Sequence, residues 1–294
     1  MHRLVKLARE SGTPVFDGEE AIFIWQGSPA PTLIGDFNDW GRAGKTSMTH
    51  FEDDIWVYAV KLPGDAYIEY AYMRDDQRIT DPFNSRLTTN GVDADNNFFF
   101  MPGGEVTPLA RKLKPSEPHG TLTRYILHNP TLLVGGNRRL TLYRPAGGGR
   151  CPLVIVLDGQ DYLARAHLPR IVDHLIAQRR IRPIALATVD HGRSARFMEY
   201  ACSEATLAFL LKDVLDFTRR RVPLLDLGEN PGAHGILGAS MGGLMATYAG
   251  LRAPEIFGHV ISQSGAFGFE LKGHDSVIFD LIRDGAVRPT RLWL

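Results

Sequence analysis

The chain has 294 residues, 44% of them apolar and 22% charged, with 33 basic against 33 acidic residues and a formal net charge of zero. At roughly 100–200 residues per domain this length favours two domains with full cores. The balanced charge argues against nucleic acid or a membrane surface as partner, and two cysteines, Cys151 and Cys202, are too few for a disulfide framework or a structural zinc site.

The first ten residues, Met1 to Glu10, lack the apolar core of a signal peptide and read as a short amphipathic helix. No window reaches the roughly 18 apolar residues of a membrane-spanning helix, so a cytoplasmic protein is expected.

Residues 15–103 are β-like. The runs Ala21–Gln26, Pro31–Phe37, Ile55–Leu62, Tyr67–Arg74 and Asn97–Met101 are short and rich in β-branched and aromatic residues. Turn formers separate them, among them Gly27-Ser28-Pro29, Pro63-Gly64-Asp65 and Asn90-Gly91. Several short strands at this spacing predict a small all-β sandwich. Residues 104–120, which include Lys112 to Gly120 (KLKPSEPHG), are rich in Pro, Gly and charge and are expected to be a linker.

From residue 121 to 294 strands alternate with helices. Thr121–His128 and Arg139–Arg144 read as strands of a hairpin around Gly135-Gly136-Asn137. Leu153–Leu157 is an unbroken apolar run, as in a strand buried on both faces. Strands are also expected at Pro183–Val189, Gly235–Gly238, His259–Gln263 and from Arg291 onward. Helices are expected at Leu168–Gln178, Ala205–Arg219, Gly243–Leu251 and Ser276–Arg283. This alternation predicts an α/β fold with a mostly parallel sheet covered on both sides.

Gly238-Ala239-Ser240-Met241-Gly242 is a G-x-S-x-G sequence between an apolar strand and a helix of small and apolar residues. That setting turns a weak pattern into a nucleophile elbow. A turn this tight pushes Ser240 toward strained dihedrals and requires small neighbours at Gly238 and Gly242. The following helix aims its free N–H groups at the serine hydroxyl, and the Met241 N–H is one expected oxyanion donor. The second should come from the loop Leu157-Asp158-Gly159-Gln160-Asp161. The Gln160 N–H is the first choice there, and Gly159, which lets backbone approach substrate, is the other. The competing reading of that loop is an ordinary polar turn.

Two resemblances rest on these residues. Residues from about 121 to 294 resemble the esterase D-like branch of the α/β-hydrolases, which includes enterochelin esterases and feruloyl esterases. The matching pieces are Val156-Leu157-Asp158-Gly159-Gln160, Val189-Asp190 with Arg193, Arg196-Phe197-Met198-Glu199-Tyr200, the Ser240 elbow and Ser262-Gln263-Ser264-Gly265-Ala266-Phe267. The Leu-Asp-Gly-Gln piece is more similar to the enterochelin esterases. Residues 20–103 resemble the early-set β-sandwich found before such esterases and before glycogen-branching enzymes, through Ile34 to Trp40, Gly64, Tyr67, Tyr70 and Asp81-Pro82. The resemblance implies hydrolysis of a small-molecule ester, possible siderophores included, through an acyl-enzyme on Ser240, with no metal and no organic cofactor.

The fold orders its triad as Ser, then acid, then His. The acid belongs after the strand that begins at Arg291, so the family's acid and histidine would lie beyond Leu294 and the sequence reads as incomplete at its C-terminus. Of the two histidines after Ser240, His259 is read as structural, and His274 stands beside Asp275, which reads as a helix N-cap. Candidate substrate contacts are Asp158, Arg193, Arg196 and His191. His191 follows a strand at its carboxyl end, where sites form in open α/β sheets, and the arginines could grip a carboxylate or catecholate oxygen. Arg196 could equally form a structural pair with Glu199 or Asp190. Trp25, Trp40 and Trp56 could stack on a sugar or fill the sandwich core. The alternatives to an esterase are a catalytically impaired hydrolase fold, a glycan-binding module, or an acyltransferase using the same serine.

Overall fold

The computed structural model describes residues 3–42, 44–89, 95–114, 116–128, 136–270, 273, 275–285 and 288–294. The turn expected at Asn90-Gly91, Gly135 of the expected hairpin loop, and His274 lie outside them. The chain divides into two compact units, Met1–Val106 and Thr107–Leu294.

The first unit opens with helix α1 (Arg3–Ser11) and continues through β1 (Val15–Asp17), β2 (Glu20–Gln26), β3 (Thr32–Gly35), β4 (Thr46–Ser47), β5 (Thr49–Glu52), β6 (Ile55–Lys61), β7 (Tyr67–Arg74), β8 (Gln77–Ile79), β9 (Leu87–Thr89) and β10 (Asp95–Phe100). They form two antiparallel sheets, ordered β1-β2-β6-β5 and β4-β3-β7-β10-β9, with β8 added to β7. The inner faces meet through aromatic rings. Phe23 of β2 stands edge-on to Tyr70 of β7 at 4.8 Å and to Phe99 of β10 at 5.9 Å. Trp25 is buried edge-on against Tyr72, and Trp56 packs on the same cluster. Trp40 donates its indole N–H to Asp36 and lies under the Arg78 guanidinium. All three tryptophans are therefore engaged within the unit.

Two pieces of the early-set resemblance have structural roles. The Asn38 amide accepts the Gly35 and Gly41 N–H groups and donates to the Leu33 carbonyl and the Thr46 hydroxyl, which ties off the 3-10 turn Asp36–Gly41. Buried Asp81 accepts from Thr13, Tyr70 and the Phe83 N–H. Burial raises its pKa against the pull of these bonds.

The second unit holds β11 (Thr121–Leu127), β12 (Arg138–Arg144), β13 (Leu153–Leu157), α2 (Gly159–Ala164), α3 (Leu168–Ala177), β14 (Ala185–Val189), α4 (Arg196–Tyr200), α5 (Glu204–Phe209), α6 (Asp216–Arg219), β15 (His234–Ala239), α7 (Met241–Arg252), β16 (Phe257–Gln263), α8 (Ile278–Asp284) and β17 (Arg291–Trp293). Among the described residues the sheet runs β11-β12-β14-β13-β15-β16-β17. It is antiparallel from β11 to β14 and parallel from there to β17. All five residues of β14 are buried, as expected for a strand covered on both faces.

Residues 107–114 and 116–120, expected as part of a linker, belong to this unit. Gly120 N–H and the Tyr143 hydroxyl both donate to Asp173, and the Arg170 guanidinium reaches the Ala110 carbonyl. The helix expected over Ala205–Arg219 forms, capped by Ser203, but a π turn at Leu210–Leu215 interrupts it. Asp275 is not a helix cap. Helix α8 begins three residues later, and the Ser276 hydroxyl accepts the Ile278 N–H.

Candidate active site

The parallel strands deliver Ser240, Asp158, Asp190 with His191, and Gln263 to the same carboxyl edge, because β14, β13, β15 and β16 are neighbours in register. Open α/β sheets place their sites at this edge. Ser240 sits between the last residue of β15 and the first of α7, with φ 54° and ψ −121°. A side-chain-bearing residue avoids that conformation unless its surroundings enforce it. Three backbone bonds do so here. Ser240 N–H donates to the Gln263 carbonyl at 2.9 Å, and the Ser240 carbonyl accepts from Leu244 and Ala266, each at 3.0 Å. The side chain is exposed at the edge.

The tightness of the turn is visible at Gly238, where a Cβ would stand 2.2 Å from the Gly242 carbonyl oxygen. Helix α7 is buried from Met241 to Gly250. This explains its lack of an amphipathic pattern. Its first N–H groups have no intrahelical partner, and the Met241 N–H is among them.

Helix α2 starts at Gly159, directly after buried Asp158, so the N–H groups of Gly159 and Gln160 are likewise first-turn donors. The glycine is needed for packing: a Cβ there would come within 2.8 Å of Thr188 and Val189 atoms of β14. The Gln160 N–H also hydrogen-bonds the Asp190 carboxyl, whose pKa is nonetheless raised, chiefly by burial. That bond competes with a role at an oxyanion and leaves Gly159 the less encumbered donor.

Asp158, expected as a substrate contact, is buried, and both its oxygens are occupied. Arg196 grips them through Nε at 2.8 Å and a terminal nitrogen at 2.6 Å. This fork holds the guanidinium pKa above its ordinary value. Arg196 thus pairs with Asp158 and not with Glu199 or Asp190. Glu199 forms a buried pair with Arg138 of β12, and Asp190 pairs with Arg139 at 2.8 Å. Tyr200, buried under the Arg196 guanidinium, accepts the Asp158 N–H with its hydroxyl.

His191 accepts the Arg193 N–H at Nδ1, 2.8 Å away. In the neutral ring the proton therefore sits on Nε2, which lies 2.9 Å from the Gln160 side-chain amide. The bond is satisfied when that amide presents its oxygen. Arg193 itself is exposed. Sequence reasoning missed three groups at this edge: Tyr162, whose hydroxyl donates to the Gln263 side chain, and the edge-to-face pair Phe197 and Phe269, 4.7 Å apart. Their signal was faint, since each lies in a segment read as loop or only as part of a family match.

Among the described residues no hydrogen bond reaches the Ser240 hydroxyl. His259 lies toward the opposite end of β16, stacked on Trp293. Among the described residues no group of three His, Cys, Asp or Glu side chains could hold a metal, and no helix is long and apolar enough to cross a membrane.

A mostly parallel sheet in this order, with a serine at a strained strand-to-helix turn after β15, defines the α/β-hydrolase type of fold. Residues 133–270 match the model of the "Putative esterase" family. The chain is 27% identical over 139 residues to the iron(III) enterobactin esterase of Escherichia coli, covering 46% of this chain and 34% of that protein. It is 28% identical over 170 residues to the uncharacterized protein YbbA of Bacillus subtilis, 52% of this chain and 66% of that one. The aligned stretches thus span about a third of one curated relative and just under two thirds of the other. The enterobactin esterase of Shigella flexneri, solved in the presence of enterobactin, superposes with a TM-score of 0.73 at 19% identity, covering 95% of this chain and 80% of that one. At that identity the likeness concerns the fold.

Proposed function

We propose that this chain is a serine carboxylic-ester hydrolase that acts through an acyl-enzyme on Ser240, with a small-molecule ester of the enterobactin-esterase kind as substrate. The observation that carries the reading is the Ser240 backbone, held at φ 54° and ψ −121° on top of α7. In this reading the Ser240 oxygen attacks the ester carbonyl, and the N–H of Met241 with that of Gly159 or Gln160 holds the oxyanion. The alcohol leaves, and water then cleaves the acyl-serine. The general base comes from the stretch C-terminal to Ser240, as the order of this fold's triad requires. Arg196, fixed by Asp158, meets an anionic oxygen of the substrate, with Arg193 and His191 flanking it.

The test is turnover of aryl esters by the chain and by Ser240→Ala. Loss of at least about 10³-fold in kcat is expected, together with a mass adduct on Ser240 from a fluorophosphonate probe. Unchanged turnover in the variant would sink the proposal. A specific observation favours a second reading: no described residue bonds the Ser240 hydroxyl. A catalytically impaired hydrolase fold would show no adduct, and retention on amylose or xylan would then point to glycan binding. A competing acceptor alcohol separates hydrolysis from acyl transfer by the product formed.

A further inference from the structure

A cavity of about 570 Å³ lies at the opposite edge of the second unit's sheet from Ser240, lined by Arg150, Arg219, Leu225, Asp226 and His234 among others. That volume falls within the range of small-molecule sites. His234 opens β15 and Ser240 follows its last residue, so some 20 Å of strand separates the two edges. The cavity therefore does not belong to the candidate active site.

Three of its lining side chains, Arg150, Arg219 and His234, carry hydrogen-bond donors. The His234 side chain is 1% exposed, and Nδ1 accepts the Leu153 N–H at 3.3 Å. Its proton is then on Nε2, for which no described residue supplies an acceptor, and the ring lines the cavity. Burial, with Arg219 nearby, pushes its pKa down to about 4, so the ring is neutral near pH 7. Arg150 is exposed and forms no ion pair among the described residues. Arg219 touches Asp216 only at 3.4 Å, with both side chains about half exposed. The one carboxylate lining the cavity, Asp226, spends Oδ1 on the N–H groups of Gly228 and Glu229. Two guanidinium groups and an imidazole N–H thus line one space, and guanidinium forks match a phosphoryl group's oxygens.

We propose that this cavity is a binding site for the phosphoryl group of a small molecule, held by Arg150, Arg219 and the His234 Nε2–H. The test is calorimetric titration of the full chain with inorganic phosphate and pyrophosphate at pH 7.5, with ionic strength held constant by sodium chloride. Saturable one-site binding with a dissociation constant of about 1 mM or tighter is expected, weakened at least tenfold in Arg150→Gln/Arg219→Gln. Both arginines reach solvent, so this variant should fold. Aryl-ester turnover, if Ser240 carries it, should be unchanged in the variant. Absence of saturable binding would overturn the proposal, and so would equal affinity in the double variant. Citrate binding tightly where phosphate does not would overturn the phosphoryl assignment. Because phosphate also stabilises proteins by exclusion from their surface, a shift in Tm shared by wild type and variant counts against the site.

Discussion

A methyl group on Gly238 would press on the Gly242 carbonyl oxygen from 2.2 Å, and both atoms belong to backbone that cannot swing away. Gly238→Ala should therefore cost more than about 3 kcal/mol, the scale of severe overpacking, and appear as loss of soluble protein or a lowered urea midpoint. A midpoint within error of wild type would mean that the elbow is looser than its dihedrals indicate. Asp158→Asn tests a different link. It leaves the shape and removes the charge that Arg196 grips. Because Arg196 is 28% exposed, the cost is discounted to about 1–2 kcal/mol. If Arg196 positions substrate, KM should rise several-fold more than kcat falls, and steady-state kinetics on an aryl ester reads that split. The two sites differ in how legible they were. The elbow is written in five consecutive residues. The Asp158–Arg196 fork joins positions 38 apart, and nothing local in either segment distinguishes it from the pairings of Arg196 with Glu199 or Asp190 weighed from sequence.

Helix α4 shows the same problem one scale up. Five residues long, it is too short for periodicity to reveal, yet it carries Arg196 and, on its inner side, Glu199. Glu199 is 5% exposed, paired with Arg138 at the start of β12, and also accepts the Gly192 N–H at 3.0 Å. One buried carboxylate thus fixes α4 and the turn after β14 to the same strand. Glu199→Gln removes the carboxylate charge from this buried pair, and about 3–5 kcal/mol should be lost. Chemical denaturation measures it; a change under 1 kcal/mol would show that the pair is dispensable. The longer elements were legible because they repeat a pattern: β13 as an unbroken apolar run, α3 by its helical spacing. Strands β1, β4, β8 and β9 have two or three residues each. They exist because a longer neighbour offers a free edge, and no alternation can be read from so few positions. Helix α2 escaped for a related reason, since its six residues begin with Gly-Gln-Asp, which read as a turn.

Each of the two units has its own buried cluster, one around Phe23, Tyr70 and Phe99, the other around Leu153, Ile155, Ile236 and Met245. Among the groups those interiors hold, His234 couples stability to pH near neutrality. Its folded pKa is about 4 against an ordinary value of 6.5, and burial is the main cause. Above pH 6.5 the ring is neutral in both folded and unfolded chains, and no penalty applies. As pH falls, the unfolded chain takes up the proton while the folded one resists, so stability declines through the window from 6.5 to 4. The full difference is on the order of 3 kcal/mol. His259, less buried, is shifted the same way and adds to the slope. The strongly lowered carboxyl of Glu117, at about 2, releases its contribution only at lower pH, and the raised carboxyls of Asp81 and Asp190 act in the opposite sense, so it is the comparison with a His234 variant that isolates this ring. Urea midpoints should fall between pH 7 and pH 5 in the native chain and fall clearly less in His234→Gln, whose amide does not titrate. Parallel curves for the two proteins would place the acid sensitivity elsewhere. If phosphate occupies the cavity that His234 lines, its negative charge would also stabilise the protonated ring, and the native slope should flatten when phosphate is present.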